Sequence, residues 1–477
     1  MANQPVRLPL LGNPTNRQAD DTKDQRFLNC FPEMVKNDIS GTQKLFVLKR
    51  PGTEQYHQPA GATGEGRGCY AWNGYFFTVI GNKLYATDIT GAPISSAIKT
   101  LATSTGAVGF VEFLGASQYL VLVDGTDGYY ISTTNVVTEI TDVDFPTPHQ
   151  VTPVFMDGYL FLMKDTGEIF NCDVGDITSW NATNFIEAES FPDAGIAIAR
   201  QNNLLVAFSE RSTEFFYDAA NSSGSPLAPA TQYIKQYGLA SVGSIAQEES
   251  MLVFVAKSGT GNSFVVANEG TKDTMISTAA IDRIINAEGT YITDSWGYLV
   301  RQLGHMMYVL NLPAQSRTLV YDFSMQMWHE WNWQDSSDVQ GVLPFISNME
   351  ADNGLFYLHQ ADGYIYEMRF DLYQDGNGKP INTLIQTSRY DGESAKIKFC
   401  AKTEVIGDHQ TSSNNLTVYW SDDDYKTWTT GRTVDLSSRA FLYRCGSFRR
   451  RAFLLTHTAN SRLRLEALEL ELIVGVH

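Results

Sequence analysis

A chain of 477 residues with 43% hydrophobic, 12% aromatic and only 18% charged residues has apolar mass enough for packed cores and is no disordered polymer. Its 53 acidic against 35 basic side chains, a net charge of −18, exclude a broad basic face that grips nucleic acid, because phosphate affinity comes from Lys and Arg. Aromatic richness, 38 glycines and little charge lean toward β-structure.

In chain order, residues 1–60 are rich in proline and polar side chains and read as an extended arm with few regular elements. They lack the long apolar core of a signal peptide. No run of about 18 apolar residues follows, so no membrane anchor is expected. Then a hairpin recurs: an apolar strand, a short polar or glycine-containing turn, and a second apolar strand. It starts at Tyr75, Tyr119, Tyr159, Leu204, Met251, Met306 and Leu355. The turn pairs Gly81-Asn82, Asp127-Gly128 and Asp362-Gly363 are strong hairpin signals. The starts lie about 40 to 55 residues apart, the period of propeller blades, and near-continuous apolar strands suit sheets packed on both faces.

The expectation is an all-β chain with a six- or seven-bladed β-propeller over 61–384; a β-sandwich array or a β-solenoid are the competing architectures. One short turn of helix is expected over Ser277–Asn286, capped by Ser277 or Thr278. The segment Tyr321-Asp322 to Trp328 reads as a strand, a turn and a new strand whose Trp328 fills a gap between blades.

The polar, glycine-rich stretch Asp371–Gly378 marks a break. Alternating strands follow from Lys396, Asn415, Arg451 and Leu463, so 385–477 reads as a small β-sandwich. In the last strand the apolar phase slips at Ala467-Leu468, through either a β-bulge or a change of packing partner.

Few motifs carry chemistry. Ser421, Asp423, Thr427 and Trp428 match the Asp-box of sialidase-type propellers, S-x-D-x-G-x-T-W, with Tyr425 where Gly is usual. Such a box is a turn: the Asp bonds backbone donors while the Trp plugs the core beneath. It also keeps open a second functional class, a glycan-binding or sialidase-like propeller. Arg444, Arg449, Arg450 and Arg451, with Arg439 nearby, form the one dense basic stretch. In an acidic chain they suggest an interface to an acidic subunit or to phosphate; alternate arginines on a wet strand face are the plainer reading. Asp422–Asp424 and the Asp124–Gly128 loop are oxygen-rich but match no EF-hand. The scattered histidines give no metal motif, no nucleophile motif is present, and no cofactor is expected. Cys30, Cys69, Cys172, Cys400 and Cys445, odd in number and without CxxC spacing, read as reduced thiols of a chain assembled in cytosol.

Taken together, Arg26–Glu33, Lys49–Thr53, Arg211–Asp218, Gln236–Ser241, Ile276–Ile285, the Tyr321–His329 step and the Trp420–Asp423 turn with its arginine-rich strand resemble one family. It is the packaged-DNA stabilisation family, the tail hub or nozzle proteins of short-tailed bacteriophages. The resemblance implies a structural virion protein of the tail, not an enzyme, assembled in the host cytoplasm. It implies a homo-oligomeric ring, typically a hexamer, under the portal and its adaptor (the head-to-tail connector ring). Such a ring neighbours tailspike, fibre or needle proteins and gives double-stranded DNA transient passage. It further implies a platform that joins the N-terminal arm to the C-terminal strands, with Arg26, Asn29 and the Arg439–Arg451 group as candidate contacts to subunits or adaptor.

Overall fold

The computed structural model describes residues 4–10, 25–35, 43–90, 97–188, 191, 193–221, 223–335, 337–352, 354–376, 378–410 and 414–475. The chain packs as two units, each discontinuous in sequence. A propeller unit comprises 55–300 and 344–367; a platform unit comprises 1–54, 301–343 and 368–477.

Six of the seven apolar hairpins become the middle strands of six blades. In the first blade, Tyr75–Ile80 and Lys83–Asp88 lie between Gly66–Trp72 and Lys99–Thr100. The same four-strand meander recurs from Gly109, Val154 and Gly195, and a five-stranded version starts at Tyr237. The middle strands are apolar on both sides because each blade is covered on both faces. Phe76, Phe77, Val79 and Ile80 are fully buried, and separate apolar clusters seal successive blades. Close approach demands glycine at Gly238, where a Cβ would lie 2.1 Å from the Ser209 carbonyl oxygen.

The sixth blade has only three strands of its own, Phe345–Ala351, Gly354–His359 and Ile365–Arg369. Its fourth is Gly52–His57, from the start of the chain. The blade count is therefore six. The remaining hairpin, His305–Leu312 with Arg317–Asp322, sixth in chain order, belongs to the platform unit. Trp328 accordingly packs on Tyr321 at 5.1 Å inside the platform rather than between blades. The helical expectation is met by Ala279–Asn286, capped by Thr278, whose hydroxyl accepts from the Ile281 N–H.

The platform unit is a sandwich of two sheets. One orders Cys30–Val35, Lys44–Lys49, Arg464–Val474, Lys398–Gly407 and Ala440–Tyr443, and Gln4–Pro9 also pairs with Arg464–Val474. The other runs from His305–Leu312 through Arg26–Leu28, Thr383–Gln386 and Ala452–His457 to Asn415–Ser421 and Arg432–Asp435. Their inner faces share one core that includes Val47, Leu465, Leu468 and Leu470 against Ile385, Leu416, Val418 and Phe453. Among the described residues, the N-terminal segment, expected to hold few regular elements, thus contributes four strands to the platform and a fifth to the sixth blade; only Cys30–Val35 with Lys44–Lys49 pair locally, and long-range pairing supplies the rest.

Both accounts of the slipped last strand apply. Toward Lys398–Gly407 the register skips Glu466, so Leu465 and Ala467 face consecutive partners. On the opposite side the strand passes from Gln4–Pro9 to Lys44–Lys49. Leu465, Leu468, Leu470 and Leu472 all reach the core.

At the centre of the platform lies the fully buried Arg50. Its guanidinium donates to Asp375 through two bonds of 2.9 and 2.7 Å, to Asn29 Oδ1, and to the carbonyls of Pro51 and Asn332. All five donors are matched. The platform unit also buries three histidines, His305, His329 and His457. His305 meets Asp322 at 2.6 Å, which raises its pKa against the opposing effect of burial. His329 is buried against Phe31 and Trp331, and burial pulls its pKa down to about 4. His457 is pulled to about 3, first by burial and then by Lys49.

Two predictions follow from these buried charges. Arg50→Met strands the Asp375 carboxylate and lowers stability by about 3–5 kcal/mol, read as a shift of the denaturation midpoint. His329 and His457 are neutral in the fold and protonate more readily when unfolded. Stability is therefore full above the unfolded pKa and falls as pH drops below it, by about 2 kcal/mol for each histidine at pH 5. His305, raised by Asp322, contributes with the opposite sign: its stabilisation is complete at low pH and lost as pH rises through its folded value. Urea titrations between pH 7.5 and 5 show the net loss, and His329→Gln flattens the slope.

Candidate assembly interface

The arginine-rich run sits where Ala440–Tyr443 and the short strand Ser447–Phe448 both pair with Lys398–Gly407. Between them the chain turns, with Arg444 at φ 57° and Gly446 at φ 73°. The short strand and the bend at Arg449-Arg450 then divide the arginines. Phe448 and Arg451 point inward, whereas Arg444, Arg449 and Arg450 are exposed.

Arg451 is 1% exposed. It grips Asp422 with two 2.7 Å bonds, donates to the Cys445 carbonyl, and lies over the rings of Phe448 at 4.2 Å and Trp420 at 5.1 Å. Its charge is matched within the sandwich. Arg449 stays exposed while one nitrogen reaches the Ala395 carbonyl. Arg439 makes a bidentate pair with Glu404, 2.8 Å for each bond, and lies over Phe441, with most of its side chain in solvent.

The two N-terminal candidates are internal. Arg26 forks onto Glu330 at 3.1 and 2.7 Å. Asn29 is 1% exposed and adopts φ 56°, and it links Arg50, Asn332 and the Asn382 carbonyl. The structure thus brings Arg444, Arg449 and Arg450 to one exposed stretch with Arg439 near it, while Arg26, Asn29 and Arg451 hold the platform together. Sequence reasoning passed over Phe399 and Tyr443, exposed aromatics on the two adjoining strands at 51% and 59%. Their signal was an aromatic in the outward phase of an alternating strand.

The Asp-box-like turn follows its expected hydrogen bonding. Asp423 accepts from the Thr427 N–H at 2.9 Å, the Thr427 hydroxyl at 2.6 Å and the Ser421 hydroxyl at 2.9 Å. The Thr427 bonds hold its pKa down at about 2. The plug differs from expectation. Trp428 is only half-buried, and Tyr425, in the glycine position at φ 64°, fills the core instead, its hydroxyl bonded to the Thr387 carbonyl at 3.1 Å. A left-handed tyrosine is strained, and burial of its ring with a satisfied hydroxyl offsets that strain.

The oxygen-rich loops have internal partners. Asp422 pairs with Arg451 and Asp424 with Arg389. Asp124 accepts from the backbone of Thr103, Thr126 and Asp127. Among the described residues no group of three or more His, Cys, Asp or Glu is placed to hold a metal, and no helix is long and apolar enough to cross a membrane.

Comparison with known proteins adds the following. A model of the family described as "Bacteriophage P22 Gp10, beta-propeller", a phage stabilisation family, matches residues 6–370. No curated protein matches the chain. Among solved structures, a streptogramin B lyase is 10% identical and covers 67% of this chain and 98% of its own, with a TM-score of 0.43. The computationally designed Ika8 protein is 11% identical over 66% of this chain and 100% of its own, at 0.42. BamB from Moraxella catarrhalis is 11% identical over 77% and 96%, at 0.40.

Replacing Tyr425 by Gly relieves the left-handed strain but empties the plug and removes the bond to Thr387. The cavity term is the larger, so Tyr425→Gly destabilises by about 2–4 kcal/mol, measured by equilibrium unfolding. Trp428→Gly costs less, about 1 kcal/mol, because that ring is already half in water.

Proposed function

From the premise that this chain belongs to the phage stabilisation family, and is a structural, DNA-stabilising phage tail protein, we propose that it forms a homo-oligomeric ring of about six copies. The ring extends the DNA channel beneath the portal and its adaptor and helps retain the packaged genome until ejection. Its partners in this reading are further copies of itself, the adaptor ring, and tailspike, fibre or needle proteins, and it assembles in the host cytoplasm before joining the virion. Residues 1–54, 301–343 and 368–477 serve as the platform and 55–300 with 344–367 as the propeller.

The observation that carries the reading is the division of the arginine cluster. Arg444, Arg449 and Arg450 are exposed beside Phe399 and Tyr443 on a chain of net charge −18. A cationic, aromatic patch on an otherwise acidic chain suits a protein surface rich in carboxylates, and arginine with tyrosine is the composition favoured at interface centres. The acid excess supports the same reading. Six copies carry a charge of roughly −100, and a channel wall of that sign repels phosphate and lets the duplex slide. Five buried free thiols suit assembly in a reducing compartment.

The test is charge reversal at Arg444, Arg449 and Arg450 together, to Glu, leaving Arg451 in place because the sandwich depends on it. The variant keeps the wild-type melting temperature within a few degrees, and its affinity for the adaptor ring and for itself falls on the order of 100-fold or more. Native mass spectrometry and negative-stain microscopy of the mixture read the outcome. Intact sixfold rings on the adaptor would refute the assignment.

A further inference from the structure

One cavity of the platform unit has no part in the reading above. It measures about 360 Å³, and its walls include Phe31, Leu48, Phe370, Tyr373 and Leu463. Four ionisable side chains also line it: Glu33, Lys49, His305 and Arg462.

Lys49 is 5% exposed. Among the described residues, its ammonium makes one hydrogen bond, to a neutral acceptor, the Ala459 carbonyl at 2.8 Å. Among the described residues it has no carboxylate partner, because the nearby Asp375 is gripped by Arg50. Burial, then the Arg50 charge, pull its pKa down to about 7. A buried ammonium with free donors and no counter-ion is costly.

His305 is 7% exposed and already paired with Asp322, with Glu33 adding a further attraction. Arg462 is exposed. Beside the His305–Asp322 pair, the lining holds the basic Lys49 and Arg462 against the single carboxylate of Glu33. The remaining wall is aliphatic and aromatic, with Phe31 and Leu463 buried and Leu303 and Phe370 exposed, and an ion pair is stronger on the buried side, where Lys49 lies.

We propose that this cavity binds a monocarboxylate borne on an apolar or aromatic group, with Lys49 as the buried ion-pair partner and Arg462 as the exposed one. A polypeptide C-terminus ending on an apolar residue presents that chemistry. Two basic side chains against one carboxylate suit a single added carboxylate better than a phosphate dianion. Retention of an unpaired buried lysine is intelligible when a ligand uses it, since a site residue of this kind lowers stability in the empty protein.

The test uses the full chain with N-acetyl-phenylalanine as probe and N-acetyl-phenylalaninamide as its neutral counterpart, titrated by ligand-observed NMR. The acid binds, and the amide binds at least about tenfold more weakly. Lys49→Met loses about tenfold or more for the acid, while its ligand-free melting temperature equals or exceeds that of the parent, because an unpaired buried charge has been removed. Arg462→Gln, at the surface, weakens the acid about threefold without a change in melting temperature and serves as the test if Lys49→Met does not fold. Failure of the acid to bind, equal binding of acid and amide, tighter binding of phenyl phosphate than of the acid, or unchanged acid affinity in the folded variants would each overturn the proposal.

Discussion

The guanidinium of Arg50 lies where water does not reach, and its acceptors come from all three chain segments of the platform unit. Asn29 and Pro51 belong to the first segment, Asn332 to the second, and Asp375 to the third. A unit assembled from distant stretches has little local structure to hold its parts in register. A planar fork with five directed donors does so, because each bond fixes an angle as well as a distance. Asn29 extends the node by linking Asn332 and Asn382 and by adopting a left-handed backbone that turns the chain between two sheets. The constraint is demanding, since a buried charge tolerates no missing partner.

That node also marks where local pattern stops being informative. Asp375 lies in a polar, glycine-rich stretch that reads as a break between domains, yet its carboxylate is buried in the platform. The propeller hairpins were legible because their signal is local: two apolar strands and a turn, repeated. The hairpin from Met306 shows the same pattern but joins the platform. The difference lies in its neighbour, Arg26–Leu28, which runs parallel to Met327–Trp331 from about 300 residues away in sequence. No window of sequence contains both strands. Much the same holds for the N-terminal arm: Cys30–Val35 and Lys44–Lys49 form a local hairpin, but Gln4–Pro9 and Arg26–Leu28 find their partners more than 300 residues away.

The candidate interface was legible as a cluster and not as a set of roles. Four arginines within eight residues stand out in an acidic chain, but only the turn at Arg444–Gly446 and the short strand after it decide which way each side chain points. Arg451 takes an inward position and meets Asp422, itself part of the oxygen-rich acidic triplet. Tyr425 is similar. A tyrosine in a glycine position looks like a departure from the motif, whereas the fold uses it in place of the tryptophan.

The borrowed outer strand of the sixth blade, Gly52–His57, has a consequence for synthesis. Its partner strand, Ile365–Arg369, leaves the ribosome about 300 residues later, roughly 15–60 s at ordinary elongation rates. During that interval the first five blades can form in order, but the circle stays open and Gly52–His57 has an unpaired edge. An open sheet edge recruits whatever strand is nearest, including that of another nascent chain on the same message. Slow translation past the fifth blade would lengthen that exposure. A late-emerging partner thus makes the timing of elongation, rather than any single contact, the step at which two copies are most easily entangled.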